Sequence, residues 1–162
     1  MKNLVGVKQE LLLSRIGDDE ANRLVMALLT TARRIDAECT ELLAEYEMSE
    51  GRLAALLAVS AEPGIAPGAL ADRLEVKSAT VTGLLDGLER RDLVRRTSVV
   101  GDRRSISLQV TSAGEALLAA LTPMYTDWLH HLSADIGAKD RAAATRAMAT
   151  IQRNLDTDTS GG

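Results

Sequence analysis

The chain has 162 residues, a length that suits one ordinary domain or one domain with helical extensions. Hydrophobic residues make up 46% and charged residues 26%, which excludes a largely disordered chain. There is no Phe, one Trp and two Tyr, so Leu and Ala must fill the core, and this composition favours helices over sheet.

The charge of the chain is unevenly distributed. The formal net charge is −4, which weighs mildly against a nucleic-acid partner. From Arg90 to Arg104, however, six arginines stand against Asp92 and Asp102, a local charge of +4. Because the local distribution of charge sets the field at a surface, a nucleic-acid partner stays open.

Nothing in the sequence indicates export or a membrane. The first residues include Lys2 and Lys8 but no long apolar run before Ser14, and no window approaches the roughly 18 apolar residues of a membrane span. A single cysteine, Cys39, excludes an intramolecular disulfide. We therefore expect a cytoplasmic protein without a membrane partner.

A long helix is predicted after a weakly patterned segment at 1–17. The acidic residues at 18–20 suit its first turn, where negative charge complements the helix dipole. Apolar residues then recur at steps of three and four for about six turns, without Gly or Pro. They are Leu24, Leu28, Thr31, Ile35, Cys39, Leu42 and Tyr46. Because a helix this long seldom finds enough partners inside a small monomer, it predicts pairing with a second chain.

Three shorter helices are predicted next. Ser49 is a suitable N-cap for the first of them, and Pro67 is allowed in the first turn of the second, which ends near Leu74. Ser78 is predicted to cap the third. Gly83 and Gly87 weaken this third helix by roughly 1 kcal/mol each relative to Ala, unless they permit close approach of another backbone.

The period changes to that of strands after Leu93. Residues 94–100 are rich in β-branched side chains, and residues 105–110 alternate between polar and apolar. The sequence Gly-Asp-Arg-Arg at 101–104 separates the two runs. This pattern predicts a β-hairpin with an arginine-rich tip.

Two further helices are predicted to close the chain. A capping box from Ser112 to Glu115 opens the first, which Pro123 should kink or split. The second extends from about Lys139 to Leu155, and residues 156–162 are expected to form a disordered tail.

The two helices that meet near residue 75 predict a helix-turn-helix. A small apolar core would hold them together, formed by Leu70, Ala71, Leu74, Val76, Val81, Leu84 and Leu88. That core leaves Lys77, Ser78, Thr80 and Thr82 exposed at the start of the second helix, where short polar side chains can reach base edges in a major groove. Two packed helices in any all-α protein look similar, but a basic hairpin directly after them makes the pattern much more specific.

The sequence resembles the MarR family of transcriptional regulators over roughly residues 49–120. The residues that carry the resemblance are Leu70-Ala71-Asp72-Arg73-Leu74, Ser78-Ala79-Thr80-Val81-Thr82, the run from Leu84 to Arg96, Gly101-Asp102-Arg103-Arg104-Ser105 and the run from Leu108 to Gly114. Two departures stand out. The family usually has Gly where Asp92 stands, and Gln109-Val110 lengthens the usual step from Leu to Thr.

The resemblance implies a mainly α fold with a small β wing, a winged helix-turn-helix flanked by N- and C-terminal dimerisation helices. The implied segments are an arm and long dimerisation helix at 1–48, the winged domain at 49–111, dimerisation helices at 112–155 and the tail at 156–162. It also implies a homodimer that represses transcription from a pseudo-palindromic operator in double-stranded DNA and is relieved by a small-molecule effector.

The resemblance also assigns DNA-binding residues. On and around the recognition helix they are Lys77, Ser78, Ala79, Thr80, Thr82, Arg73 and Arg90, with Ser78, Thr80 and Thr82 facing bases and Lys77, Arg73 and Arg90 approaching phosphates. In the wing they are Arg96, Asp102, Arg103, Arg104 and Ser105. Either Arg103 or Arg104 would enter the minor groove, with Asp102 orienting the arginine.

The sequence predicts neither a metal site nor a cofactor. His130 and His131, the only histidines, point about 100° apart on a helix and so rarely share one ion. Cys39 has acidic neighbours and no adjacent basic residue, so nothing favours a thiolate and we expect a structural cysteine.

Two other functional classes compete with the DNA-binding interpretation. The net negative charge leaves open a helical dimeric module that binds protein without specific DNA binding. A small enzyme is disfavoured because no catalytic set of residues is visible, so we expect that the chain is not an enzyme.

Overall fold

A computed structural model describes residues 4–99 and 102–158 of the protein. For Val99, residues 102–105 and Asp158 it describes the backbone alone. The helices and strands are, in chain order, α1 (Val7–Ile16), α2 (Glu20–Ala44), α3 (Glu50–Ala61), α4 (Pro67–Arg73), α5 (Ser78–Glu89), β1 (Val94–Val99), β2 (Asp102–Val110), α6 (Ser112–Leu132) and α7 (Ala138–Asp158). The two strands pair in an antiparallel sheet, which confirms the predicted mainly α fold with a small β wing.

The chain forms two compact units. The first is Met1–Ala116 and contains the first five helices and the hairpin, and the second is Leu117–Gly162. None of the helices within residues 4–99 and 102–158 combines the length and the apolar character that crossing a bilayer needs.

The first helix, α1, was not predicted from the sequence. Its residue Leu13 and the preceding Val5 are buried, and α1 packs beside α2. The Gly6 N–H also donates to the Thr30 hydroxyl of α2, at 3.3 Å. Most other apolar side chains of this segment are exposed, Leu11 at 67%. They do not repeat along one face as a clear helical stripe. The helix was missed because too few of its apolar residues repeat on one buried face.

The junction between α1 and α2 is held by polar contacts. Asp19 caps α2, since its carboxylate accepts from the Asn22 N–H at 2.8 Å. The Arg23 guanidinium donates to Asp18, and this hydrogen bond lowers the pKa of the Asp18 carboxyl. These contacts confirm that the acidic residues at 18–20 mark the start of the long helix.

The core of the winged segment joins three helices and both strands. Its fully buried side chains are Leu56, Val59, Leu70, Val81, Leu85, Leu88, Val94 and Leu108. Three residues predicted for this core are less buried than expected: Leu74 and Leu84 are half-buried, and Val76 is 37% exposed. Helix α3 supplies the core residues Leu56 and Val59, which the helix-turn-helix pattern alone does not reveal.

Two helix starts differ from the predictions. Ser78 is the first residue of α5 and the N-cap is Lys77, which makes no side-chain capping bond. At α6 the Thr111 hydroxyl accepts from the Gly114 N–H at 3.1 Å, while the Glu115 carboxylate accepts from the Ser60 hydroxyl at 3.0 Å. The expected capping box is therefore replaced by a threonine one residue earlier and by a contact with α3.

The C-terminal helices are more continuous than predicted. Helix α6 runs through Pro123 as one 21-residue helix, so Pro123 does not split it. Helix α7 continues to Asp158, so residues 156–158 of the expected disordered tail are helical, and residues 159–162 lie outside the described residues.

Asp92 occupies a left-handed backbone conformation, with φ of 53°. Here the family usually has Gly, which reaches this conformation without the steric cost that a Cβ imposes. We expect Asp92→Gly to raise the free energy of unfolding by about 0.5 kcal/mol, measured by urea denaturation. Asp92→Ala is the control, since it also removes the carboxylate but keeps a Cβ, and it should be about 1 kcal/mol less stable than Asp92→Gly. Equal stabilities of the two variants would contradict this account.

Candidate nucleic-acid interface

The helix-turn-helix is built from α4, a short turn and α5. The turn reverses the chain at Glu75, which has φ of 54°, and the Val76 N–H donates to the Ala71 carbonyl at 3.1 Å. Leu70 of α4 and Val81 of α5 are buried on the inner side. These contacts fix the orientation of α5 against α4.

The N-terminal end of α5 presents small polar side chains to the surface. Lys77, Ser78, Ala79, Thr80 and Thr82 are all exposed, and the first turn contains no acidic residue. The Thr82 hydroxyl donates to the Ser78 carbonyl at 3.1 Å, which leaves its oxygen free to accept. This surface combines hydrogen-bonding groups with the positive end of a helix dipole, which suits an anionic partner.

Two of the predicted phosphate contacts, Arg73 and Arg90, differ in position and in partner. Arg90 is exposed at the C-terminal end of α5. Arg73 pairs with Glu62 at 2.7 Å, and both side chains are about half exposed. Since exposed pairs of this kind contribute about 0–1 kcal/mol, Arg73 can exchange this partner for another anion at small cost.

The wing is a regular hairpin near its base. Its strands pair from Val94 with Val110 to Ser98 with Ile106, and the register shifts between Ser98 and Val99. The outer edge of β2 is also bonded: the Gly64 N–H donates to the Leu108 carbonyl at 2.8 Å, and the Leu108 N–H donates to the Ile65 carbonyl at 3.1 Å. The base of the wing is therefore held on both sides.

The predicted residues of the wing tip are only partly described. The backbone of Asp102, Arg103, Arg104 and Ser105 belongs to β2, but their side chains lie outside the described part of the chain. Gly101 of the same motif lies outside it altogether. Their DNA contacts remain predictions from the sequence.

Arg96 is engaged by two carboxylates of α5. Its Nη2 lies 2.9 Å from Asp86 Oδ1 and its Nη1 lies 3.1 Å from Glu89 Oε2. Its backbone N–H donates to the other oxygen of Glu89 at 3.3 Å. The sequence contains a signal for this contact, because Asp86 and Glu89 are three residues apart and so share one face of a helix.

Arg91 also has an internal role. It donates from Nη1 to the Glu47 carbonyl at 2.9 Å, and its Nε lies 3.7 Å from the Glu47 carboxylate. This contact ties the end of α5 to the segment between α2 and α3. The basic stretch recognised in the sequence is thus divided: Arg91 and Arg96 hold the fold together, while Arg95, 67% exposed, faces solvent.

The two glycines of α5 differ in their surroundings. A Cβ on Gly83 would meet nothing within 4 Å among the described residues, whereas one on Gly87 would lie 2.7 Å from Arg52 Nε. The three atoms nearest to a Cβ on Gly87 all belong to the Arg52 side chain, and none is a backbone atom. Gly87 instead makes room for an arginine side chain from α3.

A surface groove of about 310 Å³ opens beside the helix-turn-helix. It explains why some predicted core residues are exposed, since they form its walls. The lining residues are Glu50, Gly51, Ala54, Leu74, Val76, Thr80 and Leu84. Within residues 4–99 and 102–158, no group of three or more His, Cys, Asp or Glu side chains is arranged to hold a metal ion.

Helix α5 exposes polar residues at its start, buries its apolar side and is followed by a two-stranded hairpin. This arrangement defines a winged helix-turn-helix protein. Residues 48–105 match the model of the MarR family. Over these residues the chain is similar to the MarR family.

Related proteins support this assignment. The chain is 32% identical to the HTH-type transcriptional repressor YetL of Bacillus subtilis over 102 residues, which are 62% of this chain and 61% of YetL. It is 23% identical to the HTH-type transcriptional regulator PecS of Dickeya dadantii over 141 residues, 85% of each chain. The match to YetL thus spans about three fifths of that protein's length. Both relatives are named as transcriptional regulators or repressors.

The fold is also shared with solved structures. Streptococcus pneumoniae FabT, solved in complex with DNA, superimposes with a TM-score of 0.72 at 17% identity, covering 85% of this chain and 99% of FabT. At this identity the likeness extends to the fold alone.

Proposed function

We propose that the protein is a homodimeric transcriptional repressor that binds a pseudo-palindromic operator in double-stranded DNA and is released by a small-molecule effector. The observation that carries the proposal is the exposed, acid-free start of α5, together with the packing of α5 against the first strand of a basic hairpin. The name of YetL as a repressor and the presence of DNA in the FabT structure support it. Since its target is DNA, the protein would act in the cytoplasm.

The residues around α5 and the wing have distinct roles in this proposal. Ser78, Thr80 and Thr82 face base edges, with Ala79 as an apolar contact beside them. Lys77, Arg73 and Arg90 approach phosphates, which position the helix without reading sequence. The wing supplies Asp102, Arg103, Arg104 and Ser105, with an arginine in the minor groove. Arg96 is not among these contacts, because Asp86 and Glu89 already occupy its guanidinium.

Dimerisation is supported by apolar surface on the N-terminal helices. On α2, Leu24 is 55% exposed, Leu29 42% and Ile35 38%. Leu24 and Ile35 lie about three turns apart on one face of α2, and exposed apolar side chains grouped on one face of a helix mark an interaction surface. A second copy of the chain would bury them and place two copies of α5 at a fixed separation. Sedimentation equilibrium should then give twice the mass of one chain.

The decisive experiment for this function is selection of bound sequences from random double-stranded DNA. We expect a two-fold symmetric motif with half-sites about 10 to 10.5 base pairs apart, because two recognition helices related by a dyad read successive major grooves. Affinity should also fall steeply with salt, since binding releases counterions. A protein-interaction module would enrich no motif, and that result would favour the competing class.

Thr80 is expected to contribute to sequence preference. Thr80→Val keeps the shape of the side chain but removes the hydroxyl, so we expect preference at one base pair of each half-site to relax about tenfold. Repeating the selection with the variant measures this effect. Lys77→Gln provides the contrast, because losing a phosphate contact should weaken binding to all sequences and reduce the dependence on salt. An unchanged motif in the Thr80→Val selection would remove Thr80 from the reading surface.

A further inference from the structure

The link between Arg96 and α5 joins the two parts of the proposed DNA-binding surface. Arg96 lies in β1, the first strand of the wing, where it pairs with Leu108 of β2. Asp86 and Glu89 lie in the C-terminal half of α5, after the exposed residues at 77–82. One side chain therefore connects the wing to the helix that presents the base-reading residues.

The contacts of Arg96 are those of a structural clamp. Two nitrogens of the guanidinium meet two different carboxylates at 2.9 and 3.1 Å, and the backbone N–H of the same residue meets Glu89 at 3.3 Å. The Arg96 side chain is only 28% exposed, so solvent screens these pairs less than it screens pairs at a fully exposed surface. A planar guanidinium with several donors suits such a bridge better than an ammonium group does.

We propose that Arg96 is a positioning residue for DNA binding. It holds β1 against α5, so that the recognition helix and the wing meet the duplex at one fixed separation, and it does not itself neutralise a phosphate. The inference rests on the proposed function, since it concerns how the same surface is arranged.

The negative charge of the clamp and its positioning role predict opposite changes in operator affinity. Two carboxylates around one guanidinium leave a net charge of about −1, which repels phosphates. If Asp86 and Glu89 acted on DNA only through their charge, removing them would strengthen binding. If they hold Arg96 in place, removing them weakens binding although negative charge is lost.

The first test measures affinity for the selected operator between about 50 and 200 mM salt. We expect Arg96→Gln to weaken binding about tenfold at every salt concentration, with the slope of log affinity against log salt unchanged. Lys77→Gln is the reference, because a lost phosphate contact should reduce the slope by about 0.9 in each subunit. Arg96→Lys should recover little affinity, because a point charge cannot bridge both carboxylates.

The second test removes the carboxylates of Asp86 and Glu89 instead of the arginine. The double variant Asp86→Ala, Glu89→Ala is expected to bind the operator about tenfold more weakly than the wild type. Asp72→Ala is the matched control, since it removes an exposed carboxylate from neighbouring α4 and should bind as well as the wild type or better. Two measurements verify that each variant is folded. It should unfold cooperatively on heating, and its assembly should have the same mass as that of the wild type.

The outcomes separate this inference from the proposed function. A reduced salt slope in Arg96→Gln, or tighter binding by the double variant, overturns the positioning role while leaving DNA binding in place. A wild-type protein that selects no motif overturns the proposed function itself.

Discussion

Replacing both Arg103 and Arg104 by Ala is expected to weaken operator binding at least about 100-fold while leaving the protein folded. Each specific arginine contact is worth about 1–3 kcal/mol, and the substitution acts in both subunits of a dimer. Other arginines of the basic stretch are not equivalent, because Arg91 and Arg96 are bound within the fold. The tip must therefore supply much of the positive charge that the wing offers to DNA. Fluorescence anisotropy with a labelled operator measures the change.

The control for the wing is the pair Arg33 and Arg34. These two arginines are also adjacent and exposed, but they lie on α2. The double variant Arg33→Ala, Arg34→Ala changes the net charge of the chain by the same amount. It therefore tests whether operator affinity depends on the position of the arginines or on the total charge. We expect its affinity to stay within about threefold of the wild type. Unchanged affinity in the Arg103→Ala, Arg104→Ala variant at physiological salt would refute the assignment of the wing.

The largest effect on stability is expected from Gly114→Ala. A Cβ at this position would lie 2.3 Å from the Leu93 carbonyl oxygen and 2.6 Å from Val110 Cγ1. The carbonyl cannot easily withdraw, because it accepts from the Thr111 N–H at 3.1 Å at the base of the wing. We expect a loss of about 3 kcal/mol in the free energy of unfolding, measured by urea denaturation.

A second glycine separates steric overlap from helix propensity. A Cβ on Gly83 would meet nothing within 4 Å among the described residues, so Gly83→Ala should gain up to about 1 kcal/mol in the middle of α5. We therefore expect Gly114→Ala to lower the free energy of unfolding and Gly83→Ala to raise it. A Gly114→Ala variant as stable as the wild type would mean that the chain between β2 and α6 can shift to accept a methyl group.

The periodic parts of the sequence predicted the structure well. The stripe along α2, the two helices around residue 75 and the alternation from Ser105 to Val110 each repeat an apolar residue at the period of its element. Each pattern predicted the type of its element correctly, although within α2 only Leu43 is buried against neighbouring elements. The helix α1 has only ten residues, and its adjacent apolar residues Leu11, Leu12 and Leu13 do not repeat at a helical period over several turns.

Contacts between distant residues could not be read from the sequence in the same way. The clamp on Arg96 depends on where β1 passes α5, and the spacing of Asp86 and Glu89 on one helix face does not by itself show which arginine they meet. The start of α6 shows the same limit, because Glu115 pairs with Ser60, 55 residues away, instead of with its own helix end. Side-chain roles that depend on residues distant in sequence can be assigned only once the fold is known.

The clamp makes α5 electrically asymmetric along its length. Its first turn exposes unpaired N–H groups and no acid, whereas Asp86 and Glu89 give its second half two carboxylates. The first turn therefore attracts a phosphate backbone more strongly than the part of α5 around Asp86 and Glu89 does, so we expect the helix to enter a groove by its first turn. We expect each subunit to read only the few base pairs within reach of residues 77–82, and a dimer to require inverted half-sites. The acidic residues thus set a direction of entry, which arginines alone could not impose.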